Sequence, residues 1–212
     1  MKKVTKIVIG IGAALVIVVV ASVALFMYYM MQGPDLTKYE HLKNPKISTA
    51  PNQKMIVVEA KGEPNVAGKK AFGLLFQMYF KMKDTPKDFR QLAPRARWPV
   101  ASDTPKTEWV GLYAMPVPET TTELPPYEAA PDLKVALTTW EYGEVAEILH
   151  LGPYDKEQPA IARLMEFVKA QGYEVIGAHE EEYLKGPTMF SKGDPEKYVT
   201  IIRYRVKKSD QM

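Results

Sequence analysis

Ile7 to Met31 is a run of 25 residues without a single charge, and it constrains the chain more than any other feature. As a helix at 1.5 Å per residue it spans about 37 Å, enough to cross a hydrocarbon core of ~30 Å with some tilt. Lys2, Lys3 and Lys6 precede it, Tyr28 and Tyr29 sit near its far end, and Gln32-Gly33-Pro34 stops it. A cleavable signal peptide would have a shorter apolar core, about 7–15 residues, ending in small residues. Bulky Phe26, Met27, Tyr28, Tyr29, Met30 and Met31 stand there instead. The expectation is an uncleaved transmembrane helix over residues 7–31 behind a basic segment, residues 1–6, with the lipid bilayer as its partner. The early lysine cluster outweighs Lys38, Lys43 and Lys46 on the other flank. That predicts a cytoplasmic N-terminus and an extracytoplasmic C-terminal domain. Gly10 and Gly12 lack the four-residue spacing of a helix-dimer face.

The remaining chain excludes several chemistries. It has no cysteine, which removes disulfides, thiolate metal sites and a cysteine nucleophile. Only His41, His150 and His179 are present, too few for a multi-histidine metal site. The formal charge of +3 resides in the three leading lysines; the other 25 basic residues balance 25 acidic ones. The body therefore has no bulk attraction for nucleic acid, and no nucleic-acid partner is expected. There is no G-x-S-x-G elbow, P-loop, dinucleotide fingerprint, H-E-x-x-H or calcium loop. No cofactor and no metal are expected.

Residues 32–54, with Pro34, Pro45 and Pro51, read as a linker. Residues 55–208 read as one α+β domain and 209–212 as a tail. Met55–Glu59 predicts a strand. Val66–Met82 predicts a helix, with Phe72, Leu75, Phe76 and Tyr79 on one face. A proline-rich basic stretch, Lys83–Lys106, follows. Trp109–Met115 and Leu133–Glu141 predict two strands around a loop, Pro116–Pro131. The order then repeats: strand Glu144–Leu151, helix Glu157–Gln171 ended by Gly172, strands Tyr173–Leu184 and Tyr198–Lys207. Two β-α-β-β units predict an α+β sheet with both helices on one face and a cleft between the halves as the ligand site.

The second unit carries His150-Leu151-Gly152-Pro153-Tyr154, a helix ending in Gly172-Tyr173-Glu174, then Glu180-Glu181-Glu182-Tyr183-Leu184 and Thr200-Ile201-Ile202-Arg203-Tyr204. These runs resemble the GyrI-like small-molecule-binding domain, the effector-binding domain of AraC-type and MerR-type regulators. The resemblance covers Val145–Lys207 well and Met55–Tyr142 more weakly. It implies a curved antiparallel sheet of duplicated units with two helices and a central cleft, binding lipophilic, often cationic, molecules against aromatic walls and a buried carboxylate. Some members are similar in hydrolysing strained toxins with a glutamate and a tyrosine; these map onto Glu181 and Tyr183. His150, Gly152 and Tyr154 form the structural turn motif. Where regulators of this kind carry a helix-turn-helix, this chain is expected to carry its membrane segment.

Alternation along the strand puts Val175, Gly177, His179, Glu181 and Tyr183 on one face, with Glu180 and Glu182 on the other, towards solvent or the opposite layer. Glu181 can pair with a ligand cation or act as a base, and Tyr183 can donate a hydrogen bond. Trp109, Tyr113 and Trp140 are the expected cleft lining. His150 reads as a turn-bonding histidine and Asp155 as a possible helix cap. Arg95 and Arg97 beside Trp98 read as a solvated basic loop, with lipid or nucleic-acid contact as the sharper alternative. The first functional reading is a membrane-anchored sensor or binder of amphipathic cations, signalling to an unidentified partner. A hydrolase on the same scaffold, a tetrapyrrole binder similar in fold to SOUL-type proteins, and a protein-docking membrane component are the alternatives.

Overall fold

The computed structural model describes residues 15–26, 28, 34–88, 92–99, 104–128, 130–187 and 192–209. The chain divides into an N-terminal unit, residues 1–35, and a body, residues 36–212. In the first unit residues 15–26 are helical (α1), and their apolar side chains are exposed. Among the described residues no helix is long and apolar enough to cross a membrane. Residues 7–14, 27 and 29–31 of the expected span lie outside the described residues, so the anchor gains no support from the fold.

The body begins with a 3-10 turn, Thr37–Lys43, and strands β1 (Lys46–Ala50) and β2 (Gln53–Lys61). Helix α2 (Pro64–Lys81), β3 (Arg95–Trp98), β4 (Val110–Pro116) and β5 (Leu133–Trp140) follow. The second half is β6 (Gly143–Leu151), α3 (Gln158–Ala170), β7 (Tyr173–Val175), β8 (His179–Lys185) and β9 (Val199–Lys208). The strands pair antiparallel in the order β1-β6-β9-β8-β3-β4-β2-β5, with β7 also on β9.

This order corrects the expected duplication. The repeated unit is β2-α2-β3-β4 and β6-α3-β8-β9, joined where β3 pairs with β8. The first unit's third member is β3, inside the stretch read as a loop, and β5 instead flanks β2. Each half also lends a strand to the other. β1 runs into β2 but pairs with β6, and β5 runs into β6 but pairs with β2. The second exchange bends the sheet. Six inter-strand steps separate β6 from β5, about 29 Å if flat. The two-residue link Glu141-Tyr142 bridges about 11 Å at most, so the sheet must curl.

Three further expectations are corrected. Residues 32–54 are not only linker, because Lys46–Ala50 is β1, and Ile47 packs into the α3 core. Flanking prolines and lysines hid it. Arg95 and Arg97 are not a solvated loop. They lie directly opposite Glu182 and Glu180 on β8, and opposite charge across the pair lets so polar a sequence form a central strand. Tyr173–Leu184 is two strands, because the chain breaks at Ile176–Ala178, where the Ile176 N–H bonds the Arg205 carbonyl.

Both helices lie on one face of the sheet. α2 starts at Pro64, with the Glu63 carboxylate accepting from the Val66 N–H, and buries Ala67, Ala71, Leu75, Met78 and Tyr79. Its buried stripe is turned from the expected one, leaving Phe72 and Phe76 on the shoulder. α3 buries Leu164 and Val168 against Ala146, Ile148 and Ile202. Each such fully buried side chain contributes about 1.5–3 kcal/mol. Gly172, at φ 74°, turns the chain out of α3. Asp155 does not cap this helix; it lies in the preceding 3-10 turn, Tyr154–Lys156, and Glu157 stands at the cap position.

Candidate functional site

The central strands β3 and β8 carry the densest chemistry, and their two faces differ. On the helix face Glu181 is 8% exposed. Its Oε1 accepts from Trp98 Nε1 at 2.8 Å and lies 3.0 Å from His179 Nε2. Ala96, opposite Glu181 on β3, is small enough to leave this carboxylate room. Tyr183 hydrogen-bonds Glu181 as well, and burial together with that negative charge raises its hydroxyl well above the usual range. The other His179 nitrogen, Nδ1, is 2.7 Å from the Tyr204 hydroxyl.

A second carboxyl joins them. Glu157, at the start of α3, is 6% exposed, and its Oε2 lies 3.9 Å from His179 Nε2. Its Oε1 is buried with no hydrogen-bond partner. Burial, and then the charge on Glu181, push the Glu157 carboxyl up to about 9. Among the described residues the ion pairs of these two glutamates are with His179 alone. Aromatic rings enclose the pair. Trp98 meets Tyr113 edge-on at 5.6 Å, Phe72 meets Tyr113 at 5.0 Å and Tyr183 at 5.8 Å, and Tyr154 meets Tyr183 at 5.3 Å. The Tyr113 ring lies over Gly68 and Gly111. A Cβ at Gly111 would come within 2.6 Å of it.

The other face of β8 is a charge-balanced ion network, with Arg95 Nε and one Arg97 Nη buried without a hydrogen-bond partner. Arg203 donates to Glu147 at 2.7 Å, Glu180 at 2.6 Å and Glu182 at 2.9 Å. Arg97 bonds Glu180 at 2.6 Å, and Arg95 reaches Glu182 at 3.1 Å. Tyr142, from the link that curls the sheet, donates to Glu180 at 2.8 Å. Burial alone would raise Glu180, but Arg203, Arg97 and Arg95 outweigh it and hold its carboxyl below the usual range.

Of the expected site residues, Glu181 and Tyr183 are together, and Tyr113 and Trp109 stand behind Trp98. Trp140 is not with them. It lies on the opposite face, with the Arg97 guanidinium 3.9 Å from its ring centroid. Gly177 is also displaced, because the break after β7 seats it on Arg205. Glu180 and Glu182 face the opposite layer but are fully paired. His150 Nε2 bonds the Pro153 carbonyl at 3.0 Å, the turn role expected of it. Sequence reasoning missed Trp98, Glu157 and Phe72 as members of the site. Trp98 would follow from alternation had β3 been recognised. A single glutamate opening an amphipathic helix carries no signal.

The chain shares this architecture with proteins already known. The family pattern of the GyrI-like small-molecule-binding domain matches residues 43–207. No curated protein matches the chain. It is similar to an uncharacterised conserved protein from Listeria innocua, with a TM-score of 0.59 and 21% identity over 82% of this chain and 100% of the other. A hydrolase from Listeria innocua is similar at a TM-score of 0.57 and 20% identity, again over 82% and 100%. EcmrR in complex with DNA gives 0.56 and 13% identity over 90% of this chain and 65% of that one. At these identities the likeness is one of fold. The family pattern, running from just before β1 to the end of β9, is more specific, and on it the chain belongs to the GyrI-like small-molecule-binding domain family.

Proposed function

We propose that the helix-face cluster binds a lipophilic organic cation, with Glu181 as its charge partner and Trp98, Tyr113 and Tyr183 as its walls. One observation carries this reading. Two buried carboxyls share a single histidine, while the glutamates one residue away on β8 are fully matched by arginines. A cation between aromatic faces gains about 0.5–2 kcal/mol from each desolvated ring contact. The uncharged run at residues 7–31 is the basis for a membrane tether, and the lysines that precede it for an outer placement of the body. The charge-balanced body gives nucleic acid no electrostatic footing.

A second reading, hydrolysis, draws on the Tyr183–Glu181 bond. There Glu181 takes a proton from water while Tyr183, kept protonated by burial, donates to the developing oxyanion.

Thermal melts of the full chain in detergent micelles test the binding reading, using methyltriphenylphosphonium, an uncharged analogue of equal size, and haem. The cation should raise the wild-type midpoint by mass action and leave Glu181→Gln unmoved. No response to the cation, or an equal response in the variant, contradicts the reading. Turnover of an electrophilic ester or epoxide that disappears in both Glu181→Gln and Tyr183→Phe would favour hydrolysis.

A further inference from the structure

We propose that Glu157, His179 and Glu181 form a binding site for a divalent transition-metal ion. The donors come from two rigid elements, β8 and the start of α3. His179 Nε2 lies 3.0 Å from Glu181 Oε1 and 3.9 Å from Glu157 Oε2, and one donor atom from each residue falls within 4.8 Å of the others. Donors bonded at about 2.0–2.2 Å sit roughly 3.0–3.6 Å apart around tetrahedral or octahedral ions. Closing the triad on an ion therefore needs shifts of about an ångström.

Glu157 points independently to a ligand. Its side chain is 7% exposed, is aimed at His179, and has a buried oxygen with no partner. Removing a carboxyl from water without a partner is costly, and an ion supplies what is missing. His179 is also set as metal-bound histidines are. Its Nδ1 is engaged by the Tyr204 hydroxyl, which fixes the ring with Nε2 towards both carboxylates. Trp98 holds Glu181 in turn. One imidazole with two carboxylates suits zinc, cobalt or manganese better than calcium or magnesium, which favour all-oxygen shells.

The site as it stands favours an ion over a larger guest. Glu157, Glu181 and Trp98 are each at most 8% exposed, so an organic cation must part the rings while a metal ion need not. This inference rests on the donor geometry and not on the organic-cation reading. The two occupants would compete, since a metal ion neutralises the charge that attracts the other.

The test is titration of EDTA-treated full chain with Co2+, followed by its visible ligand-field bands. One saturable equivalent is expected, displaced by Zn2+, with affinity lowered about tenfold or more in both Glu157→Gln and His179→Gln. Tyr204→Phe, which leaves all three donors in place, should weaken Co2+ binding less, and it keeps the test informative if His179→Gln unfolds. Absence of saturable bands, or bands equal in wild type and Glu157→Gln, overturns the proposal. Specific Co2+ binding in a protein that ignores methyltriphenylphosphonium would sink the organic-cation reading and leave the metal site standing.

Discussion

Glu180 and Glu181 are adjacent on one strand and both buried, yet their surroundings are opposite. Glu180 and its neighbour Glu182 are matched by Arg203, Arg97 and Arg95. Glu181 and Glu157, on the helix face, share one histidine and a ring of aromatics. The period of two along a strand separates the faces, and the curl of the sheet closes one of them around its arginines. A charge-balanced network fixes structure. An unbalanced one retains electrostatic free energy that a ligand can satisfy. Function is therefore assigned to the face where charge is left unmatched.

The largest expected effect breaks the charge-balanced face. Arg203→Met leaves Glu147, Glu180 and Glu182 without their shared partner. Breaking one side of a buried pair costs about 3–5 kcal/mol, so urea unfolding should show a loss of that order or no folded protein at all. Glu181→Gln, by contrast, keeps an acceptor oxygen for Trp98 and strands no arginine, so it should cost less, about 1–3 kcal/mol. Equal losses in the two variants would erase the distinction between the faces.

A middle-sized effect is steric. In Gly111→Ala the new Cβ falls 2.6 Å from the Tyr113 ring, which must then shift against its neighbours, Gly68 on its other edge and Trp98. Overpacking of this kind costs about 1–3 kcal/mol, measurable by urea melts, and should also alter indole fluorescence. An unchanged melt would mean that the ring is not seated as described.

A fourth effect is in pH. Glu157 titrates near 9 in the folded chain, above the ordinary carboxyl value of 4.5. Between those values the folded state keeps a proton that the unfolded chain has released. The stabilisation is thus complete below about pH 4.5 and lost as pH rises through about 9. Melting midpoints taken from pH 5 to 9 should fall further in wild type than in Glu157→Gln. Parallel curves would show that Glu157 is ionised and compensated, removing the asymmetry on which the site rests.

Much of this was legible in the sequence, and the omissions have physical causes. The helix at Gln158–Ala170 and the strands β4, β5, β6 and β9 follow from apolar period alone. Alternation, being local, put Glu181 and Tyr183 on one face, and the resemblance of the E-x-Y run to the GyrI-like domain singled them out. β3 was hidden because Arg95 and Arg97 look solvent-seeking until their partners arrive from 83 residues on, on β8. Trp98, the donor that orients Glu181, was lost with it. Trp140 was assigned to the cleft because alternation gives a residue's face relative to its neighbours. Which face holds the helices is a tertiary fact. Glu157 entered the site through helix placement, which no local pattern encodes.

The account's central claim is that the unmatched carboxyls of the helix face make it a cation site. Isothermal titration of methyltriphenylphosphonium into wild type and Glu181→Gln tests it most directly. Saturable binding to one site in wild type, lost in the variant while it stays folded, is the predicted result. Equal affinity in both proteins, or no heat in either, would contradict it.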